Sequence, residues 1–183
     1  MQLSSLTKLA LASVVAFAAG CGPQWIVVRQ AAPNPMTPAT PFFVADVSLE
    51  GLVVGNKSEA EWMSTKSAET RDKWAGDKVA MNEQFSEGFE SGRHELARVA
   101  GPQGAFVVRA HFDRYEPGYN VGISASNGTI DATVDIFDPA GQPVDEFRVH
   151  AEAGGFSAGE RARQSARVIG YTAARYLRKR VGL

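Results

Sequence analysis

The chain has 183 residues, 44% hydrophobic and 21% charged, with 19 Lys and Arg against 20 Asp and Glu for a net charge of −1. This is close to the soluble-globular average and excludes both a polytopic membrane protein and a wholly disordered chain. So balanced a charge offers no footprint for a polyanion, and nucleic acid is not an expected partner. The single cysteine excludes an intramolecular disulfide and a cysteine-based zinc site.

The amino end reads as an export signal. Lys8 places positive charge ahead of an apolar run over residues 9–19. At ~1.5 Å per residue that run is too short to cross a ~30 Å hydrocarbon core as a helix. It ends at Ala18-Ala19-Gly20-Cys21, small residues leading to the only cysteine. This string resembles the lipobox of bacterial lipoproteins, with Ala18 where leucine is usual. The resemblance implies a signal peptide over residues 1–20 and acylation of Cys21 as the mature first residue. Membrane lipid is then a partner through acylated Cys21. Several acyl chains, at ~0.8 kcal/mol per buried CH₂, anchor stably. Gly22 replaces the aspartate that marks inner-membrane retention, which implies the periplasmic face of the outer membrane. The alternative is an ordinary cleavage site followed by a cysteine by chance.

Residues 21–41 read as the lipidated cysteine and a tether. They hold Pro23, Pro33, Pro35, Pro38 and Pro41. Extended polyproline geometry at ~3.1 Å per residue would let them reach about 60 Å from the bilayer. Trp25-Ile26-Val27-Val28 is too apolar for a pure tether, and either docks on the domain or lies at the lipid surface.

Residues 42–183 read as one domain. Phe43, Ala45, Val47 and Leu49 alternate with polar positions and predict a strand. Residues 55–66 are turn-like. A helix is expected over 68–98, capped by Ser67, with Trp74, Met81, Phe85, Phe89 and Leu96 as its apolar stripe. Gly88 and Gly92 lie one turn apart beside that stripe and predict close packing against a sheet. After the Gly101-Pro102-Gln103-Gly104 break, Phe106, Val108, Ala110 and Phe112 predict a strand with Arg109, His111 and Asp113 on its other face. Glu116-Pro117-Gly118-Tyr119 is a turn. Asn127-Gly128 is a hairpin signal that would set Ala125 opposite Ile130, Ile123 opposite Ala132 and Val121 opposite Val134. The turn Asp138-Pro139-Ala140-Gly141-Gln142 then sets Val134 opposite Phe147 and Ala132 opposite Val149. A last helix is expected over 158–181, with Ala162, Ala166, Ile169, Ala173, Tyr176 or Leu177, and Val181 inward. The expected fold class is α+β, a two-layer sandwich in the order β-α-β-β-β-β-α. Its sheet of about five mostly antiparallel strands carries two helices on one face.

Three constellations bear on chemistry. Gly155-Phe156-Ser157-Ala158-Gly159 fits the nucleophile-elbow pattern, but neither Asp nor His follows Ser157, whereas that fold orders serine, acid, histidine. Ser157 with Glu160 reads instead as a helix cap. On the open face of the sheet, Asp131 falls opposite His150 and Thr133 opposite Arg148, with Asp135 opposite Glu146 and with Arg109, His111 and Asp113 beyond. This face is either a polar ligand platform, a two-histidine metal site, or a wetted sheet face with cross-strand charge pairs; the last is preferred, and no metal or cofactor is expected. The terminal helix concentrates Arg161, Arg163, Arg167, Arg175, Arg178, Lys179 and Arg180 against Glu160 alone. That helix presents either an interaction face for anionic lipid, carboxylate or phosphate, or a solvated surface.

Cys21, the Pro117-Gly118 turn, and the run from Gly128 to Gly155 with Asp138-Pro139-Ala140-Gly141 at its turn carry a further resemblance. The chain resembles small bacterial envelope lipoproteins whose α+β domains have no assigned function, and auxiliary lipoproteins of ABC transporters. The likeness implies no catalytic residues. The expected function is that of a non-enzymatic structural or adaptor subunit of an envelope complex with a protein partner. The alternative is an auxiliary lipoprotein handling a lipid or other amphiphile for transport or secretion, with a groove between helices and sheet. The oligomeric state stays open.

Overall fold

The computed structural model describes residues 25–122 and 124–183. The expected signal peptide and Cys21 lie outside the described residues. In chain order the described elements are β1 (Trp25–Gln30), β2 (Pro41–Val44), β3 (Val53–Val54), β4 (Lys57–Ser58), α1 (Glu59–Ser64), α2 (Ala68–Arg93), β5 (Ala97–Arg98), β6 (Phe106–Glu116), β7 (Tyr119–Asn120), β8 (Ala125–Ser126), β9 (Gly128–Phe137), β10 (Pro143–Ala153) and α3 (Ala158–Val181). The class is α+β. The sheet is larger than the five strands expected: eight strands with the main order β1-β10-β9-β6-β2-β5, with β3 also paired to β6 and β4 paired to β3. It is mixed, because β2 and β3 both run parallel to β6. A third helix, α1, is added where residues 55–66 read as turns.

The long central strands follow their alternation. β9 buries Gly128, Ile130, Ala132, Val134 and Ile136 on one face, and β10 buries Phe147, Val149 and Ala151 beside them. Their register sets Phe147 opposite Val134, Val149 opposite Ala132 and His150 opposite Asp131, as the turn at 138–142 dictates. α2 and α3 cover this face. Phe85 of α2 meets Phe112 edge-on at 6.4 Å and Trp74 stacks on Tyr115 at 5.7 Å. Phe147 stacks on Tyr176 of α3 at 4.0 Å.

The two helices touch along a seam of small residues. A Cβ built on Gly88 would stand 2.0 Å from the Arg167 carbonyl oxygen, and one on Gly170 would stand 2.0 Å from that of Phe85. The close packing expected of Gly88 and Gly92 is therefore helix on helix, not helix on sheet. α2 also stops sooner than expected. His94 takes φ 46° and ends it, Leu96 turns into the core, and Ala97–Arg98 pair with β2.

The hairpin expected at Asn127-Gly128 is corrected. β9 pairs with β6, Tyr115 opposite Ile130 and Glu116 opposite Thr129, because the long apolar face of β6 offers far more burial than residues 121–125. Ile123 lies outside the described residues. Those around it form a small separate hairpin, Tyr119 opposite Ser126, with the Val121 amide bonding the Ser124 carbonyl. Its turn glycine is Gly122, at φ 78°.

The tether expected over residues 21–41 is corrected from residue 25 onward. β1 joins the sheet antiparallel to β10, Trp25 opposite Val149. Beyond it the proline-rich stretch is a strap on the domain, with Met36 and Thr40 buried. Prolines disfavour regular pairing, but they do not prevent side chains between them from docking.

At the amino end of α3, Ser157 caps the helix by accepting from the Glu160 amide at 3.1 Å, and the Glu160 carboxylate accepts from the Phe156 amide at 2.9 Å. Ser157→Ala is expected to lower stability by about 1 kcal/mol in denaturant titration; an unchanged midpoint would contradict the cap.

Candidate functional site

The face of the sheet away from the helices carries an ordered polar surface. Strand alternation aims Arg109, His111 and Asp113 of β6, Asp131, Thr133 and Asp135 of β9, and Glu146, Arg148 and His150 of β10 to this side. Asp131 and His150, directly opposite one another, meet with Oδ1 and Nδ1 2.6 Å apart. Both are largely exposed, so the pair ranks among cross-strand contacts of about 0.2–1 kcal/mol. Also on β9, the Thr133 hydroxyl donates to Asp113 of β6 at 2.9 Å. His111 sits 3.5 Å from Asp113 through Nε2 and 3.1 Å from the Ser48 hydroxyl through Nδ1.

β1 adds what the sequence reading placed in a tether. Arg29 lies 3.4 Å from Glu146 and 3.6 Å from Asp135. Ile26 stands opposite Arg148. With Trp25, these strands enclose an open groove of about 680 Å³, lined by Ile26, Asp131, Thr133, Arg148 and His150 among others. Arg148 is exposed and has no ion-pair partner among the described residues. The space between helices and sheet, where an amphiphile groove was expected, is filled by the apolar core.

Asp135 carries the electrostatic strain of this face. Burial raises its pKa above the ordinary carboxylate value, neighbouring Glu146 adds to the rise, and Arg29, Arg109 and His111 oppose it. A carboxyl whose folded-state pKa is raised stabilises the fold only while protonated; the contribution is lost as pH rises through the shifted value. Asp135→Asn is therefore expected to raise the thermal midpoint at neutral pH and to leave it unchanged well below pH 3.8. A loss at neutral pH would show that the pairing with Arg29 outweighs burial.

The basic residues of α3, considered as an interaction face, have different surroundings. Arg161 is 4% exposed and donates to the carbonyls of Pro117 and Gly155, each at 2.7 Å. Arg163 pairs with Asp77 and Arg167 with Glu87, both of α2. Arg180 pairs with buried Asp145 at 2.8 Å. Arg175 lies over the Tyr171 ring and Lys179 over Trp25. The Arg178 Nε is buried without a hydrogen-bond partner among the described residues. The acids that hold Arg163, Arg167 and Arg180 sit on α2 and β10, so counting charges along α3 alone concealed them.

Among the described residues no group of three or more His, Cys, Asp or Glu could hold a metal ion. Among the same residues no helix is long and apolar enough to cross a membrane. No protein-family model matches the chain, and no curated protein matches it. Among solved structures it is similar to a PelC dodecamer from Paraburkholderia phytofirmans, with 14% identity and a TM-score of 0.43 over 80% of this chain and 96% of that one. A single-substitution variant of that PelC dodecamer from the same organism aligns with 14% identity and a TM-score of 0.42, over 81% and 95% of the two chains.

Proposed function

We propose that this chain is a lipid-anchored protein of the bacterial envelope, held at the periplasmic face of the outer membrane through acylated Cys21. There it acts as a non-enzymatic adaptor subunit. The observation that carries this reading is the position of β1. The strand begins four residues after the lipobox cysteine and lies at the open edge of the sheet. Ile26, Val27 and Val28 are all exposed along it. An apolar edge strand with unpaired backbone groups is a template for a further strand, and soluble proteins usually blunt such edges with charge or proline. A partner segment pairing there would cover both the backbone and the valines.

The reading is tested by placing a photo-crosslinking residue at Val28 in cells. The expected product is an adduct with one envelope protein, lost when the probe is moved to exposed Ala140. A membrane-bound protein that yields no adduct from Val28 would overturn the adaptor role. A second reading, an auxiliary lipoprotein that handles a lipid or other amphiphile for a transport or secretion system, is supported by the groove beside Ile26 and Trp25 with exposed Arg148 in its wall. It requires Arg148→Glu to abolish binding of an anionic amphiphile.

A further inference from the structure

We infer that the end of the sheet bearing Tyr119, Val121 and Phe156 is a membrane-seating surface, inserted among the lipid headgroups of the leaflet that holds the acylated amino end. The inference rests on the lipid-anchor reading and adds the orientation of the domain.

Topology brings these residues together. β6 ends and β9 begins at this end of the sheet, so residues 117–122 and 124–127 lie across it. β10 ends here and α3 starts here, so residues 154–157 lie beside that crossing. Phe156 is 88% exposed, Val121 67% and Tyr119 50%. The tips stand on firm supports. The buried Arg161 guanidinium ties Pro117 to Gly155, and the Tyr115 hydroxyl donates to the Ala158 carbonyl. Nearby carboxylates are engaged within the protein: Glu152 accepts from the Asn127 amide group at 2.7 Å, Glu160 from the Phe156 backbone, and Glu116 pairs with Arg114. Tyr119, Val121 and Phe156 stand outward among exposed Asn120 and Ser124, which carry no charge, and aromatic and aliphatic tips among polar neighbours are the chemistry of an interfacial anchor.

Covalent geometry supplies the second, independent argument. β1 runs antiparallel to β10 with Trp25 opposite Val149, so the chain enters the sheet from this end. Trp25 follows Cys21 by four residue steps, a reach of at most about 14 Å whatever path they take. Along β10, the four residues from Val149 to its end at Ala153 span ~13 Å. An acylated Cys21 therefore brings the bilayer surface to this end of the sheet. The turn at 138–142 lies at the other end of β9, about 30 Å away. That turn is closed by its own Asp138, whose carboxylate accepts from the amides of Ala140 and Gln142.

The test uses the mature protein, extracted from the envelope and reconstituted in vesicles of phosphatidylethanolamine and phosphatidylglycerol. Val121→Cys, Phe156→Cys and Ala140→Cys variants are labelled with one thiol-reactive fluorophore, and lipid-borne quenchers at graded depths locate it. Acylation occupies the sulfur of Cys21, so only the introduced cysteine takes label. The expected result is a probe about 5–10 Å into the headgroup and acyl boundary at positions 121 and 156, and an unquenched probe at 140. Unquenched probes at 121 and 156, with a wild-type protein that refuses label, would overturn the seating while leaving the anchor intact. A wild-type protein that takes label at Cys21 would overturn the anchor and the seating with it.

Discussion

Gly88→Ala and Gly170→Ala are each expected to destabilise the protein by about 3 kcal/mol. Gly76→Ala, in the same helix as Gly88, is expected to stabilise it by up to about 1 kcal/mol. The signs differ because the surroundings differ. A Cβ on Gly76 meets nothing within 4 Å, so alanine only improves helix propensity. A Cβ on Gly88 or Gly170 would overlap backbone, the Arg167 carbonyl in one case and the Phe85 carbonyl in the other. Backbone cannot rotate aside as a side chain can, so the helices must separate. Separation loosens the burial of Phe85, Phe89, Ile169 and Ala173 together. For a domain of this size the shift in thermal midpoint is roughly 6–12 °C downward. Equal, small effects at all three positions would mean that α2 and α3 do not approach along this seam.

Asp145→Ala is expected to cost about 3–5 kcal/mol and to free residues 25–34 from the domain. Asp145 is wholly buried. Its Oδ2 accepts from the Tyr176 hydroxyl and from Arg180 Nε, both at 2.8 Å, and its Oδ1 accepts from the Ala31 amide at 2.9 Å. Arg180 in turn donates to the Ala31 carbonyl. One carboxylate thus fastens β10, the end of α3 and the start of the strap. Removing it leaves the Arg180 guanidinium in a mostly buried place without its counter-charge, and that penalty exceeds the net worth of the pair. Hydrogen exchange locates the loss: β1 amides should lose protection beyond the global effect. Asp145→Asn keeps the shape and acceptor oxygen and is expected to cost less. If β1 stays protected in Asp145→Ala, the strap is held by the sheet alone.

Much of the domain could be read from its sequence where the signal was local. α3 spans Ala158–Val181 behind its Ser157 cap because serine, glutamate and the apolar stripe agree along one stretch. The β9 and β10 register follows from a short turn between two alternating strands, which is why the Asp131–His150 pair of the open face was legible. What failed was non-local. Asn127-Gly128 has the chemistry of a tight turn, yet β9 finds a better partner in β6. β2 and β3 reach β6 in parallel only after the chain folds, and no local pattern announces that. The apolar run Trp25-Ile26-Val27-Val28 left docking on the domain open, but the prolines around it concealed a strand, its pairing with β10, and with them Arg29 and the groove. Asp145 did leave a signal: it sits at an inward position of β10, in phase with Phe147, Val149 and Ala151, where a lone charge must find a partner. Arg180, one turn beyond Tyr176 on α3, is that partner.

The most direct test of the account is the intact mass of the mature protein extracted from its native envelope in detergent. A lipid-anchored protein gives a chain beginning at Cys21 and carrying acyl groups. An unmodified chain, whether it begins near Cys21 or retains residues 1–20, would contradict the lipid anchor and the membrane orientation built on it.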